Sequence, residues 1–320
     1  MNQCFEAIAQ QGIAPVISLS DPAKAVSLAR AVLAGGVSNL EITLRTEQAL
    51  SCITAIKKEF PGMCVSAGTV LRTEQAALAV QAGADYVVSP GFSPELVSYC
   101  LEHGIAIIPG CTSASEIDAA MRMGLRVLKY FPAEPLGGVT ALELLAGPYR
   151  DVRFLPTGGI SFGNLERYLQ SKAVIACGGS YMAKSDLIAR GAWEEITQNC
   201  RRAMDLSLGF RLAHVGLNCP DEQAASETAG QIADLFRLPV RPTGKSVFAG
   251  TAVECMKSRY LGTNGHVGLC TNSAARAESY FRRRGIAILE ETRKYDETGW
   301  LKYFYLRDEI GGFAFHVLEP

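Results

Sequence analysis

Apolar and polar residues alternate in two distinct rhythms along the first two thirds of the chain. Short apolar runs are separated by segments in which apolar residues recur every three to four positions. The first rhythm is typical of buried strands and the second of amphipathic helices. After a helical segment at 2–10, strands are predicted at 14–19, 40–45, 64–70, 86–92, 106–112, 127–134, 154–160 and 173–182.

These strands begin at intervals of about 20 to 27 residues, with one helical segment in each gap. That order predicts parallel strands joined by right-handed crossovers. Helix-start signals support the assignment: Pro22 opens the segment 21–35, Ser93 precedes Pro94, and Ser113 with Glu116 forms a capping-box pattern. Eight such units favour an α/β fold of the (β/α)8 TIM-barrel type over a doubly wound sheet. No Gly-x-Gly-x-x-Gly follows the first strand, which argues against dinucleotide binding.

The last third of the chain follows a different pattern. The sequence His-Val-Gly-Leu at 214–217 recurs at 266–269, a period of 52 residues. Each copy is followed by a helix-like run, at 221–238 and 273–285, and then by apolar strand segments. We therefore predict a barrel domain at 1–206, a linker at 207–209, and a smaller α+β domain of two duplicated units at 210–320.

Composition and charge exclude several classes of function. The chain has 320 residues, 48% of them hydrophobic, and a formal net charge of −1 with no basic block. This balance predicts no binding to nucleic acid or to an anionic membrane surface. Neither an export signal nor an apolar run of membrane-spanning length is evident, and the ten cysteines are scattered singly. We expect a reduced, cytoplasmic protein.

One charged residue interrupts the sixth predicted strand. Lys129 lies within the apolar run 127–134 and shares a strand face with Val127 and Phe131. Burial disfavours the charged form of a lysine, which makes the free amine available as a nucleophile. The alternative is a lysine that extends to the rim or pairs with a carboxylate.

Polar residues also collect on the second and third strands. Glu41, Thr43 and Arg45 share one face, which we predict to be the barrel interior, and Thr69 ends the third strand. The carboxyl ends of barrel strands carry the catalytic groups. Glu41 beside Lys129 is either a proton-transfer group or a structural ion pair.

Glycine-rich turns follow the seventh and eighth strands. They contain Gly158 with Gly159 and Gly178 with Gly179, next to Ser180. These two positions commonly hold phosphate through backbone N–H groups in such barrels. Steric demands of the turns are the alternative explanation for the glycines.

Together these segments resemble a known family. The segments are Leu-Glu-Ile-Thr-Leu-Arg-Thr at 40–46, Ala-Gly-Thr-Val at 67–70, Lys-Tyr-Phe-Pro-Ala at 129–133, Pro-Thr-Gly-Gly-Ile at 156–160 and Gly-Gly-Ser at 178–180. Residues 1 to about 205 resemble the class I 2-keto-3-deoxy-6-phosphogluconate (KDPG) aldolases. The resemblance implies cleavage of KDPG to pyruvate and glyceraldehyde 3-phosphate, and also of 4-hydroxy-2-oxoglutarate to pyruvate and glyoxylate. It further implies a homo-oligomer, a trimer in that family, and an aldolase domain without a cofactor.

The resemblance also assigns roles to individual residues. Lys129 forms a Schiff base with pyruvate, and Glu41 moves protons. The implied substrate-binding residues are Arg45 and Thr69 for the carboxylate, Phe131 for the pyruvyl group, Thr157 for the substrate hydroxyls, and Gly158, Gly159, Gly179 and Ser180 for phosphate. Sister enzymes that act on the galacto epimer tend to carry an apolar residue at the position of Thr157.

Three of the four histidines lie in the second domain. His214 and His266 open the first strands of the two units, while Glu254 and His316 lie in their last strands. Two symmetric pairs of this kind predict a divalent metal site of nitrogen and oxygen donors, with zinc, nickel, iron or manganese as candidates. The arrangement resembles the vicinal-oxygen-chelate superfamily, which includes glyoxalase I. His316 departs from glyoxalase I, where a carboxylate stands.

Two alternatives stay open for this domain. It is either a metal-dependent enzyme of the glyoxalase or dioxygenase type, which would make the chain bifunctional, or a binding or oligomerisation module without chemistry. In the second case the three histidines are hydrogen-bonded core residues. His103, at the end of a predicted helix in the first domain, is expected at the surface.

Overall fold

The computed structural model describes residues 3–320 and divides into two compact units, Met1–Ser207 and Leu208–Pro320. In the first unit, strands and helices alternate along the whole chain. The strands are β1 (Ile13–Ile17), β2 (Asn39–Thr43), β3 (Cys64–Gly68), β4 (Tyr86–Val88), β5 (Ile107–Ile108), β6 (Val127–Tyr130), β7 (Arg153–Pro156) and β8 (Cys177–Gly179). The helices are α1 (Gln3–Ala9), α2 (Pro22–Ala34), α3 (Ala49–Glu59), α4 (Thr73–Gln81), α5 (Pro94–Glu102), α6 (Ala114–Arg122), α7 (Gly138–Ala146), α8 (Leu165–Leu169), α9 (Ser185–Ala189) and α10 (Trp193–Leu208).

All strand pairs of this unit are parallel. Six strands form one sheet in the order β5-β4-β3-β2-β1-β8, and β6 pairs with β7. Isolated parallel bridges at Gly110–Lys129 and Thr157–Gly178 connect these two sheets. The predicted parallel α/β organisation is confirmed, and the carboxyl ends of the strands therefore share one edge.

The inward side chains of the strands pack with α1 into one core. Ile8 of α1 lies with Ala14, Val88 and Leu155 in a cluster whose members are nearly all inaccessible to solvent. Burying a side chain such as isoleucine stabilises the fold by about 1.5–3 kcal/mol. The helix predicted at 2–10 is observed as Gln3–Ala9, while residue 2 lies outside the described residues.

Helix-start signals in the sequence act as predicted. Asp21 caps α2 by accepting from Ala23 N, and Ser93 caps α5 by accepting from Leu96 N. Ser113 and Glu116 form the predicted capping box of α6. Such caps satisfy backbone N–H groups that the first helical turn leaves unpaired.

The predicted strands extend too far at their carboxyl ends. The runs 86–92, 127–134 and 154–160 end as strands at Val88, Tyr130 and Pro156. The predicted strands are too long because the apolar runs continue beyond these points, into loops that also pack against the protein. Gly158 and Gly159 have φ angles of +95° and +83°, outside the range of regular strands.

The second unit contains one mixed sheet of eight strands with two helices. Its elements in chain order are β9 (Arg211–Asn218), α11 (Glu222–Phe236), β10 (Val240–Pro242), β11 (Ser246–Ala249), β12 (Val253–Met256), β13 (Gly265–Cys270), α12 (Ala274–Arg283), β14 (Ile288–Tyr295), β15 (Leu301–Leu306) and β16 (Phe313–Leu318). The strand order is β10-β11-β12-β9-β13-β16-β15-β14. The two first strands, β9 and β13, are thus central and antiparallel to each other. Alanines of α11 pack with Val247 and Cys255 of the sheet into a separate core.

The predicted linker at 207–209 is helical over its first two residues. The helix α10 continues to Leu208 because Ser207 is buried and its hydroxyl donates to Gln11 O at 2.6 Å. Gly209 follows with a φ angle of +59°, which suits glycine at the end of a helix. Among residues 3–320, no helix combines the length and apolar character that crossing a membrane requires.

Candidate functional site

Lys129 and Glu41 meet in the interior of the first unit. Lys129 Nζ donates to Glu41 Oε1 at 3.3 Å, and the two residues are 5% and 1% exposed. The other carboxylate oxygen, Glu41 Oε2, is buried and makes no hydrogen bond with the described residues. A purely structural buried pair would need its remaining lone pairs satisfied to repay desolvation. The unpaired Oε2 instead leaves one oxygen available to a bound molecule.

The backbone of β3 makes room for this carboxylate. A Cβ atom on Gly68 would lie 2.1 Å from Glu41 Oε1, so only glycine fits at this position. The next residue, Thr69, has a φ angle of +58°, which is unusual for a β-branched side chain. Backbone strain of this kind clusters at functional sites.

A cavity of about 280 Å³ opens at the carboxyl ends of the strands. Its lining includes all but one of the predicted substrate-binding residues: Arg45, Phe131, Thr157, Gly158, Gly159, Gly179 and Ser180. The exception is Thr69, which follows Gly68 beside Glu41. Lys129 and Glu41 are not among the residues that line the cavity. They lie next to it, since the ring centroid of Phe131 in its wall is 5.5 Å from Lys129 Nζ.

In the loop after β7, the backbone carbonyl groups and the backbone N–H groups differ in their hydrogen bonding. The carbonyls of Thr157 and Gly158 accept from Ala133 N and Glu134 N at 2.8 and 3.1 Å. Gly159 O accepts from the Asn164 side chain at 3.0 Å. Within residues 3–320, the N–H groups of Gly158 and Gly159 donate to no acceptor. Fixed carbonyls and unpaired N–H groups at a cavity wall are the arrangement that binds anions.

The side chain of Thr157 lies against the backbone of Gly178. A Cβ atom on Gly178 would lie 2.4 Å from Thr157 Oγ1, so the glycine of β8 leaves space for the hydroxyl. Sequence reasoning missed Ser18 and Ser185, which also line the cavity. Ser18 directly follows β1, at the edge of the sheet where the carboxyl ends of the strands lie. Its place near the carboxyl end of the predicted strand 14–19 was the feature of the sequence that could have identified it.

In the second unit, the four predicted ligand residues converge. His214 Nε2 lies 3.3 Å from His266 Nε2 and 3.1 Å from His316 Nε2. Glu254 Oε2 lies 3.3 Å from His214 Nε2 and 3.1 Å from His266 Nε2. The other oxygen of Glu254 accepts from Ser246 Oγ at 2.6 Å. His103, by contrast, is exposed at the end of α5, as expected.

The glycines of the repeated His-Val-Gly-Leu sequence explain how the rings fit. His266 pairs with Gly216 across β13 and β9, and Gly268 pairs reciprocally with His214. A Cβ atom on Gly216 would lie 2.0 Å from the ring of His266, and one on Gly268 would lie 2.6 Å from the ring of His214. Each glycine therefore provides the space for the imidazole of the other copy.

Burial favours the neutral form of two of these imidazoles, those of His214 and His316. Desolvation, followed by the neighbouring His214 and His266, lowers the pKa of His316 to about 3. Desolvation also lowers the pKa of His214, in opposition to the attraction of Glu254. Burial would raise the pKa of Glu254, but hydrogen bonds from His266 and Ser246 outweigh it and hold that pKa below its usual range. Neutral imidazoles with an ionised carboxylate are the forms that bind metals.

Comparison with known proteins identifies the first unit. Residues 5–199 match the family described as "Aldolase: KDPG and KHG aldolase". A 2-dehydro-3-deoxy-phosphogluconate aldolase of Treponema pallidum is 46% identical over 206 residues, covering 64% of this chain and 98% of that protein. The KHG/KDPG aldolase of Escherichia coli strain K12 is 45% identical over 193 residues, covering 60% of this chain and 91% of that protein.

A solved structure agrees. The KDPG aldolase of Legionella pneumophila, with pyruvate captured as a covalent carbinolamine intermediate, superposes with a TM-score of 0.61 at 36% identity. The match covers 63% of this chain and 98% of that protein. The α/β unit at 5–199 is thus of the aldehyde-lyase class. The chain belongs to the KDPG and KHG aldolase family.

Proposed function

We propose that the first unit cleaves 2-keto-3-deoxy-6-phosphogluconate to pyruvate and glyceraldehyde 3-phosphate through a Schiff base on Lys129. The observation that carries the proposal is the buried contact of Lys129 Nζ with Glu41 Oε1 at 3.3 Å. Both partners lie inside a unit whose relatives are named as aldolases for this substrate. We extend the proposal to 4-hydroxy-2-oxoglutarate, cleaved to pyruvate and glyoxylate, because both substrates share the keto-acid end that forms the imine.

The reaction follows from the chemistry of the two side chains. The Lys129 amine adds to the keto carbon and loses water, which leaves a protonated imine. Removal of the proton from the C4 hydroxyl then breaks the C3–C4 bond, and the imine accepts the electron pair as an enamine. The aldehyde leaves, C3 is protonated, and hydrolysis of the imine releases pyruvate. Glu41 is the group that exchanges these protons, through its unpaired Oε2.

The cavity provides the binding contacts for this substrate. Arg45 and Thr69 would hold the keto-acid carboxylate, and Phe131 would pack against the pyruvyl group. Thr157, which is 6% exposed on the cavity wall, would contact the substrate hydroxyls. A polar residue here favours the gluco over the galacto epimer. The N–H groups of the glycine loops, with Ser180, would bind the phosphate.

The phosphate site makes a specific prediction. Gly159→Ala should lower kcat/KM for the phosphorylated substrate roughly 10- to 100-fold, the effect of losing hydrogen bonds to a charged group. A Cβ atom there would lie 2.5 Å from Glu134 Cβ, and the φ angle of +83° disfavours alanine, so the loop must shift. The unphosphorylated analogue should lose little, since it makes no use of the loop. Steady-state kinetics with both substrates measures the difference.

Gly163→Ala is the matched control, because an added Cβ there meets only Ser161 Oγ at an ordinary 3.7 Å. It should behave like the unmodified protein. Imine formation with pyruvate should persist in both variants and reports that the site near Lys129 is intact. Equal kcat/KM for phosphorylated and unphosphorylated substrates in the unmodified protein would contradict the phosphate site.

We also propose that the protein is a homo-oligomer, a trimer by resemblance to its family. The first unit exposes apolar side chains on and beside the neighbouring helices α4 and α5: Leu71 is 57% exposed, Leu78 47% and Leu101 44%. Exposed leucines such as these are available to pack against other copies of the chain. Light scattering should give the mass of three chains, and the mass of one chain would contradict the proposal.

For the second unit we propose a divalent metal site. One ring nitrogen from each of His214, His266 and His316 lies within 4.8 Å of the others. Glu254 Oε2 lies 3.3 Å from His214 Nε2 and 3.1 Å from His266 Nε2. Two glycines clear the space that the rings occupy. Such a donor set suits zinc, nickel, iron or manganese, and a bound ion would supply Lewis-acid chemistry. The βαβββ order repeated in this unit supports its assignment to the vicinal-oxygen-chelate superfamily, which would make the chain bifunctional.

The metal site predicts one equivalent of transition metal per full chain. His266→Ala should weaken metal binding by more than about 100-fold, because even indirect partners of a ligand contribute 10- to 100-fold. His103→Ala, at an exposed histidine, should have no effect. Both are measured by metal analysis after equilibrium dialysis.

Removal of the metal should affect the second unit alone. Chelation should lower its melting temperature, since an ion at 100 times its Kd stabilises by about 2.7 kcal/mol. Pyruvate-imine formation should continue, because the lysine mechanism uses no metal. If the chain takes up no metal in dialysis, the remaining interpretation of the second unit is a binding or assembly module.

A further inference from the structure

A second cavity, of about 560 Å³, opens onto the histidine–glutamate cluster of the second unit. His214, Glu254, His266 and His316 all line it. The unit holds four lysines, and three of them, Lys245, Lys257 and Lys294, also line this cavity. Within the described lining, Glu254 is the single carboxylate and no arginine contributes. The lining therefore carries a net positive charge, with three lysines against one carboxylate.

Two of these lysines are held in place by their surroundings. The ammonium group of Lys294 lies 4.6 Å from the ring centroid of Tyr303, a cation–π contact that orients it. Lys257 Nζ lies 2.6 Å from Glu222 Oε1, whose side chain is 70% exposed. Exposed pairs of this kind contribute little and are readily exchanged for another anion.

Lys245 lies on a turn that is connected to the cluster. Thr243 Oγ1 accepts from Lys245 N at 3.3 Å and from Ser246 N at 3.0 Å. Ser246 in turn donates to Glu254 Oε1 at 2.6 Å. The turn that carries Lys245 is thus fixed relative to the proposed metal ligands.

Aromatic side chains line the same cavity. Tyr303 and Tyr305 project from the same face of β15, and Phe248 and Tyr260 complete the wall. Such a wall suits the carbon skeleton of a ligand. The charges suit its ends, because a divalent ion and three ammonium groups exceed the charge of Glu254 and Glu222.

We infer that this cavity binds a small organic acid with at least two negative charges, one acidic group at the histidine–glutamate cluster and the second at the lysines. The inference rests on the proposed metal site, since the ion would anchor the first acidic group. It adds a substrate class, a dianionic acid of a size that about 560 Å³ accommodates.

The test compares two probes of equal length on the full chain loaded with Co(II). These are 2-hydroxyglutarate and 2-hydroxypentanoate, which share a five-carbon 2-hydroxy-acid skeleton and differ by a terminal carboxylate in place of a methyl group. Neither has a carbonyl that Lys129 could attack, so the aldolase site stays silent. Titration of the Co(II) absorption spectrum measures both affinities. We expect 2-hydroxyglutarate to bind at least about tenfold more tightly, as for two partly exposed ion pairs.

Lysine variants locate the effect. The triple variant Lys245→Gln, Lys257→Gln and Lys294→Gln should reduce the preference to about twofold or less. Lys302→Gln is the control, because the fourth lysine pairs with Glu319 at 3.0 Å and does not line the cavity. It should keep the full preference.

The outcomes separate the two proposals. Chain that takes up Co(II) but binds both probes equally overturns the dianion inference and leaves the metal site standing. A preference that survives in the triple variant also overturns it, because the lysines would then have no role. Chain that takes up no metal overturns the metal site and, with it, the inference built on it.

Discussion

Borohydride reduction of the full chain in the presence of pyruvate should leave a three-carbon adduct on the peptide that contains Lys129. The expectation follows from the position of this amine, 5% exposed and 3.3 Å from a carboxylate oxygen. A lysine amine next to a group that can exchange protons is the arrangement that nucleophilic addition to a carbonyl requires. Intact-mass analysis followed by peptide mapping gives the result. Labelling of another lysine, or of none, would show that Lys129 is not the imine residue.

Lys129→Arg should reduce turnover by roughly four to six orders of magnitude, as for removal of a covalent nucleophile. Arginine keeps a positive charge next to Glu41, but it stays protonated and cannot add to a carbonyl. Lys58→Arg, at an exposed position of α3, is the matched control and should retain full activity. Melting curves of both variants establish that the fold persists. Substantial turnover by a folded Lys129→Arg variant would refute the mechanism.

Glu41→Gln should lower turnover by about two to four orders of magnitude, the range for a lost general base. Glutamine retains a carbonyl oxygen that can accept from Lys129 Nζ, so the buried lysine keeps its partner. What the variant loses is a group that can take and return a proton. Single-turnover kinetics should show the loss in the cleavage step, with the imine still trapped by borohydride.

Glu59→Gln is the control for this change, because Glu59 forms only an exposed pair with Arg30. It should leave turnover unaltered. If Glu41→Gln were folded and fully active, Glu41 would be a structural partner of Lys129 and no more. If Glu41→Gln were unfolded, Glu41 would also be needed for the structure. The melting curve shows whether the variant is folded or unfolded.

Much of the first unit could be read from local sequence patterns. Ser93 and Ser113 cap the helices whose starts they were predicted to mark, because capping depends on residues only a few positions apart. The parallel α/β order follows from the spacing of apolar runs. The ends of the strands were harder to predict from the sequence, since a buried loop and a buried strand are equally apolar. The run 127–134 thus ends as a strand at Tyr130.

The alternation of side chains along the strands contributed most to the prediction of the site. Because successive residues point to opposite faces, Glu41, Thr43 and Lys129 could be predicted to share the interior. The structure brings Glu41 and Lys129 together as expected. Arg45 lines the cavity from beyond the end of β2, and Thr69 does not line it. Both follow their strands, where the alternation no longer applies.

The second unit shows the same division. The period of 52 residues paired His214 with His266 in the sequence, and the donor types suggested a metal site. The sequence could not show why each histidine is followed two residues later by glycine. The antiparallel register of β9 and β13 provides the reason, since Gly216 and Gly268 each lie beneath a histidine ring.

Periodicity, helix starts and the choice of Lys129, Glu41 and the four predicted ligand residues as candidates came from the sequence alone, because each depends on local spacing or side-chain chemistry. Distances between residues remote in sequence were decided by the tertiary structure. Lys129 and Glu41 are 88 positions apart, and Gly68 fits beside them only because β3 pairs with β2 in one register. The three lysines of the second cavity come from separate strands and turns of its sheet. Their convergence depends on strand order and register, which are properties of the whole sheet and not of any one segment.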